Sequence, residues 1–131
     1  MKNAYQKYKT NSVQTASREK ILLMLYEGAI KFTKLAMKGM EEKKIADKGY
    51  YIGRAYDIIM ELNNTLDHKV GGDISKNLEA LYIFMMEQYT KANFKNEMAP
   101  LQENLKILEN LYSGWQQAIE KIKKEETDNQ K

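Results

Sequence analysis

The residues that could carry out chemistry in this chain are few and far apart. His68 is its lone histidine and it has no cysteine. Glu61 and Asp67 lie near that histidine at the expected end of a helix, with no spacing that pairs them for acid/base work. Catalysis needs a nucleophile beside a base, a metal set, or two titratable groups tuned against each other. A bundle di-iron centre needs Glu-x-x-His from each of two helices, which a single histidine excludes. Gly71-Gly72 lacks the Lys-Ser/Thr of a phosphate cradle. The expectation is therefore no catalytic residue, no metal and no cofactor. Recognition is better supplied, because the chain holds 9 tyrosines and 8 methionines. Tyr82, Met86 and Tyr89 recur at spacings of four and three, beside the apolar stripe of a helix. That line fits the core of a central helix. The alternative is the floor of a groove for another helix, since Met is adaptable and Tyr amphipathic at binding surfaces.

The elements that position such a line come from the periodicity. A first helix is expected from about Arg18 to Lys43, with Leu22, Leu25, Ala29, Phe32 and Ala36 as its buried stripe. Ser17 stands before it as an N-cap, and Glu19 is favourably placed against the helix dipole. Gly28 and Gly39 each cost about 1 kcal/mol relative to Ala inside a helix, so Gly28 points to close approach of a neighbouring backbone or a ligand. The pattern breaks at Ile45 to Gly49, where Asp47 is a cap candidate, and resumes with Ile52, Ala55, Ile59, Leu62 and Leu66. Gly71-Gly72 follow the end of this helix near Asp67 and permit a chain reversal. A third helix opens near Asp73 or Ser75, with Ile74, Leu78, Leu81, Met85 and Ala92 in its stripe. After a turn around Asn93 to Pro100, Leu101, Leu105, Leu108, Tyr112, Trp115, Ile119 and Ile122 alternate spacings of four and three, as in bundle packing.

These elements make an all-α fold, an antiparallel up-down four-helix bundle over residues 17–124. Residues 1–16 are polar and β-branched and read as an extended or short-helical, mobile N-terminal arm; residues 125–131 are expected to fray. A chain of 131 residues needs no more than one domain to bury a core. The net charge of +3 comes from 21 basic and 18 acidic residues, mixed along the helices as on solvated faces, so nucleic acid is not an expected partner. The longest apolar run, Ile21 to Tyr26, is too short to span a bilayer, and no segment resembles a signal peptide. A cytoplasmic protein without membrane insertion is expected, and the lack of cysteine suits a reducing compartment.

Several motifs together resemble a known family. Tyr8, Asn11-Ser12-Val13, Thr15-Ala16-Ser17 and Met24-Leu25-Tyr26-Glu27-Gly28-Ala29 look like the N-terminal signature of the flagellin-specific export chaperones, the FliS family. Ala55, Ile58-Ile59, Glu61-Leu62, Thr65-Leu66-Asp67, Gly71-Gly72, Asn77-Leu78, Leu81-Tyr82 and Trp115 follow in the family's order. Arg18 departs from it, standing where family members usually place a proline. The resemblance implies a chaperone that binds the C-terminal segment of unpolymerised flagellin, as a monomer when bound to its client. It would block premature assembly and deliver the client to the flagellar type III export apparatus. The alternative is a bundle adaptor or regulator that binds another helical partner through the same face. The resemblance supports Tyr8, Tyr26 and Tyr82 as partner contacts. The apolar lines add Leu25, Tyr56, Met86 and Tyr89, and the arm adds Val13, with the arm expected to cover part of the groove until the client displaces it.

Overall fold

A computed structural model describes the backbone of residues 2–129 and the side chains of residues 18–129. The chain forms four helices, α1 (Lys2–Glu41), α2 (Ile45–Asn64), α3 (His68–Lys95) and α4 (Ala99–Asn129). Each packs against its neighbours in sequence, and α4 closes on α1, whereas among the described residues the diagonal pairs α1/α3 and α2/α4 have no Cα atoms within 8 Å. That is the closed square of an up-down four-helix bundle, as the periodicity predicts.

The helix beginning expected at Ser17 and Arg18 is not a beginning. The backbone from Lys2 is helical and runs without a break through Ser17 into the bundle, so the arm takes the helical alternative and Ser17 is an interior residue rather than a cap. The reason lies in Arg18. A proline there would remove an amide from the helical ladder and push Ser17 away from helical geometry, whereas arginine does neither. At the other terminus α4 stays helical to Asn129, past Lys124.

Turn chemistry sets the remaining boundaries. Lys43 adopts φ 58 and ends α1, with the Lys44 amide donating to the Gly39 carbonyl at 2.8 Å. Asp47 does not cap α2, which starts at Ile45; it supplies negative charge in the first turn instead. Asp67 is the cap, but of α3: its carboxylate accepts from the Lys69 and Val70 amides at 3.0 and 3.2 Å. After that first turn Gly72 breaks the helix with φ 52, so the predicted reversal is a kink one turn inside α3. Asn96, with φ 54, closes α3. Lys48 reaches across from the first turn of α2 to the same helix end, donating to Asn96 Oδ1 at 3.0 Å and to the Asn93 carbonyl at 3.3 Å, where a cation meets the negative pole of the helix. Pro100 sits in the first turn of α4, where its missing amide is not needed.

The core is centred on Tyr26, Ala29 and Ala36 of α1, Ile52, Ala55, Ile59 and Leu62 of α2, Tyr82, Met85, Tyr89 and Ala92 of α3, and Leu101 and Leu108 of α4. The stripe of α1 is thus rotated from the expected one. Ala29 and Ala36 are buried as predicted, but Leu22, Leu25 and Phe32 are only half-buried and pack around the core. Thr33 occupies the centre of the seam, which a polar residue can do because its hydroxyl donates to the Ala29 carbonyl at 2.7 Å. In α3, Ile74 is exposed and Leu78 and Leu81 are half-buried. In α4, Ile122 is exposed, and the buried Asn104 replaces Leu105 at the seam, donating to the Met85 carbonyl at 2.9 Å.

Candidate functional site

Helix α3 carries two apolar faces one residue apart. Tyr82, Met85, Tyr89 and Ala92 face the core; advancing by one residue, or about 100° of helical rotation, gives Ile83, Met86 and Thr90. With Phe94 one turn further on, these residues and Tyr56 from α2 line an open groove of about 450 Å³ along the α2/α3 seam. Glu87, Lys91 and Lys95 form its charged margin. Ile83 is 43% and Phe94 88% exposed, so apolar side chains stand uncovered here by the described side chains. Its size falls in the range of ligand pockets. A smaller groove of about 240 Å³ on the α1/α4 seam offers Met37 and Leu105 among Gln102, Lys106, Glu109 and Asn110, a more polar lining.

The sequence-predicted contacts divide sharply. Tyr56 and Met86 are half-buried and line the groove. Tyr26, Tyr82 and Tyr89 do not; at 0, 1 and 0% exposure they are core side chains. They are buried because their hydroxyls find partners inside the bundle. Tyr26 and Tyr82 join hydroxyl to hydroxyl at 2.5 Å, and Tyr89 meets Thr33 Oγ1 at 2.7 Å. Burial pushes the Tyr89 phenol up to about 12, against a smaller opposing effect of Thr33 and Asn104 beside it. Burial also raises Tyr82, reinforced by Tyr26 beside it, and raises Tyr26 against the hydrogen bond from Tyr82. Leu25 packs half-buried against the core, away from the groove lining. The side chains of Tyr8 and Val13 lie outside the described residues. Ile83 and Phe94 were not expected as site residues. Their signal is that each is a large apolar residue set off the core stripe, Phe94 between the polar Asn93 and Lys95 and Ile83 one position past Tyr82.

Among the described residues no group of three His, Cys, Asp or Glu side chains could hold a metal ion. His68 lies at the opposite end of α3 from Phe94, exposed, with Nε2 3.3 Å from Glu79 Oε2. No described helix is long and apolar enough to cross a membrane. The geometry offers an apolar trough with a charged margin.

Comparison with known proteins gives consistent matches. The family model described as flagellar protein FliS matches residues 1–122. The flagellar secretion chaperone FliS of Vibrio cholerae is 40% identical over 121 residues, covering 89% of each chain. That of Bacillus subtilis is 34% identical over 125 residues, covering 95% of this chain and 92% of the relative. A crystal structure of a bacterial flagellar chaperone superposes with a TM-score of 0.77 at 22% identity, over 91% of this chain and 97% of that one, a likeness of fold.

Proposed function

This chain belongs to the FliS family of flagellar proteins, and on that footing we propose that it is a cytoplasmic export chaperone whose α2/α3 groove receives the C-terminal segment of flagellin. Holding that segment keeps flagellin from polymerising early and keeps it deliverable to the flagellar type III export apparatus. The observation that carries the reading is the unfilled apolar trough of Tyr56, Ile83, Met86 and Phe94. An amphipathic helix laid into such a groove buries its apolar face against these four side chains. If the client is disordered beforehand, ordering it costs about 2–5 kcal/mol of the contact energy. Burying what remains exposed of Phe94 and Ile83, 88% and 43% of their surfaces, contributes about 2–4 kcal/mol together, so contacts along the rest of the trough are needed as well. Tyr8 and Val13 remain proposed contacts of the N-terminal segment. If that segment competes with the client or touches it, deleting residues 1–12 shifts the affinity, and an unchanged affinity removes Tyr8 from the site; Val13→Ser tests Val13 in the same way.

The test is titration with a flagellin C-terminal peptide followed by circular dichroism. Saturable binding with a gain of helix, lost on combining Tyr56→Ala with Met86→Ala, is the expected result. A peptide that binds equally well to that double variant, or not at all to the unaltered protein, overturns the reading.

A further inference from the structure

The three core tyrosines raise a question that the groove alone does not answer. α1 and α3 face each other across the diagonal of the bundle with no Cα atoms within 8 Å among the described residues, yet two hydroxyl pairs join them through the interior. Tyr26 meets Tyr82, and Thr33 meets Tyr89, at 2.5 and 2.7 Å. In both pairs the partners are 56 residues apart, as parallel helices in one register require. The two links are two helical turns apart, about 11 Å. From this arrangement we infer that Tyr26–Tyr82 and Thr33–Tyr89 form a two-rung brace that fixes the rotation of α3 about its own axis and so holds the α2/α3 groove open at its binding width.

The inference rests on the proposed role of the groove, and it makes the tyrosines positioning residues, not client contacts. The physical ground is the direction of the bonds. Apolar packing tolerates a small rotation of a helix, whereas a turn of α3 would pull both hydroxyl pairs apart and leave phenols buried without partners. The groove face lies only one residue round from the tyrosine face, so any rotation that breaks the rungs moves Ile83 and Met86 toward α2 or away from it. Asn104, which donates to the Met85 carbonyl from α4, steadies the same stretch of α3 from a third side.

The experiment removes both members of a rung, so that no orphan hydroxyl remains and the fold is preserved. Two variants are needed, Tyr26→Phe/Tyr82→Phe and Thr33→Val/Tyr89→Phe, the second carrying the test should the first fail to fold. Methyl NMR reports the groove through Met86 and Ile83, with Met37 on the α1/α4 seam as the internal reference. The brace predicts new or broadened Met86 and Ile83 signals, unchanged Met37, and about fivefold weaker binding of the flagellin peptide, as for a groove competent about a fifth of the time. Met86 and Ile83 signals and affinity like those of the unaltered protein in both variants would overturn it. Should the unaltered protein not bind the peptide, the proposed function falls, while the methyl signals still decide the brace.

Discussion

Helix α2 has two long seams, and they are built in opposite ways. Toward α1 the approach is close at two glycines, although Phe32 and Tyr51 still stack across the seam with ring centroids 6.0 Å apart. A Cβ added at Gly39 would stand 2.9 Å from the Lys48 backbone nitrogen and 3.3 Å from its Cα, and one at Gly28 would stand 3.1 Å from Ile58 Cδ1. Toward α3 the facing side chains are large, and between Tyr56 and Met86 the helices leave the groove of about 450 Å³. One helix thus closes the bundle along one edge and opens it along the other. Glycines at the points of closest approach explain the closed seam, since helices approach as nearly as their side chains allow. The open seam needs something to keep it from collapsing, and the tyrosine rungs behind α3 provide that.

The contrast can be broken most violently at Gly39. Valine there must displace the backbone of Lys48, and overpacking of this kind costs about 3 kcal/mol, or about 10 °C in Tm by thermal circular dichroism; an unaltered Tm would mean that the seam is not close-packed. The second effect comes from alkali. Tyr89 has its phenol raised from 10.0 to about 12 in the folded protein. The stability it contributes is complete below about pH 10 and is lost as pH rises through about 12, with Tyr26 and Tyr82 shifted in the same direction. Unfolding and tyrosinate absorbance should therefore rise together in that window; tyrosinate formation with the helix content intact would separate the phenols from the core.

Substitutions on the open seam should leave the fold alone. Phe94→Ser, at a side chain 88% exposed, is expected to move Tm by no more than about 2 °C while weakening the flagellin peptide about tenfold. A loss of stability without a loss of binding would place Phe94 in the structure and not in the site. The smallest change sharpens the comparison from within α2 itself. Gly53 has no heavy atom within 4 Å of an added Cβ, so Gly53→Ala should gain about 0.5–1 kcal/mol, a rise of about 2–4 °C in Tm. The same helix then takes a side chain gladly on its solvent face where its α1 neighbour refuses one.

The architecture was legible because the apolar spacings of α2 and α4 are nearly pure. Ile52, Ala55, Ile59 and Leu62 are all buried, as expected. Two kinds of residue defeated the reading of faces. Tyr26, Tyr82 and Tyr89 are amphipathic, and sequence cannot tell a phenol that meets another phenol from one that meets water. Thr33 and Asn104 are polar and were not counted toward any stripe, although internal hydrogen bonds bury both completely. Phe94 and Ile83 were passed over for the converse reason, being apolar at positions that the core does not use. Gly39 was noticed as a cost to its helix, and only the position of Lys48 explains why the cost is borne. The arm was read from composition, and Arg18, not being proline, permits its backbone to continue α1.

The square of neighbour-only packing also imposes an order in time. α1 and α2 are joined by a tight turn and meet through Gly39 and Lys48, so their hairpin can close once Asn64 has been synthesised. The rungs to Tyr82 and Tyr89 wait for α3, and the α1/α4 seam waits for nearly the whole chain. Contacts between distant segments carry the largest loop-closure entropy and form slowly. A nascent chain therefore exposes the α4-facing side of α1 for longest, and the last helix made is the one that shuts the molecule.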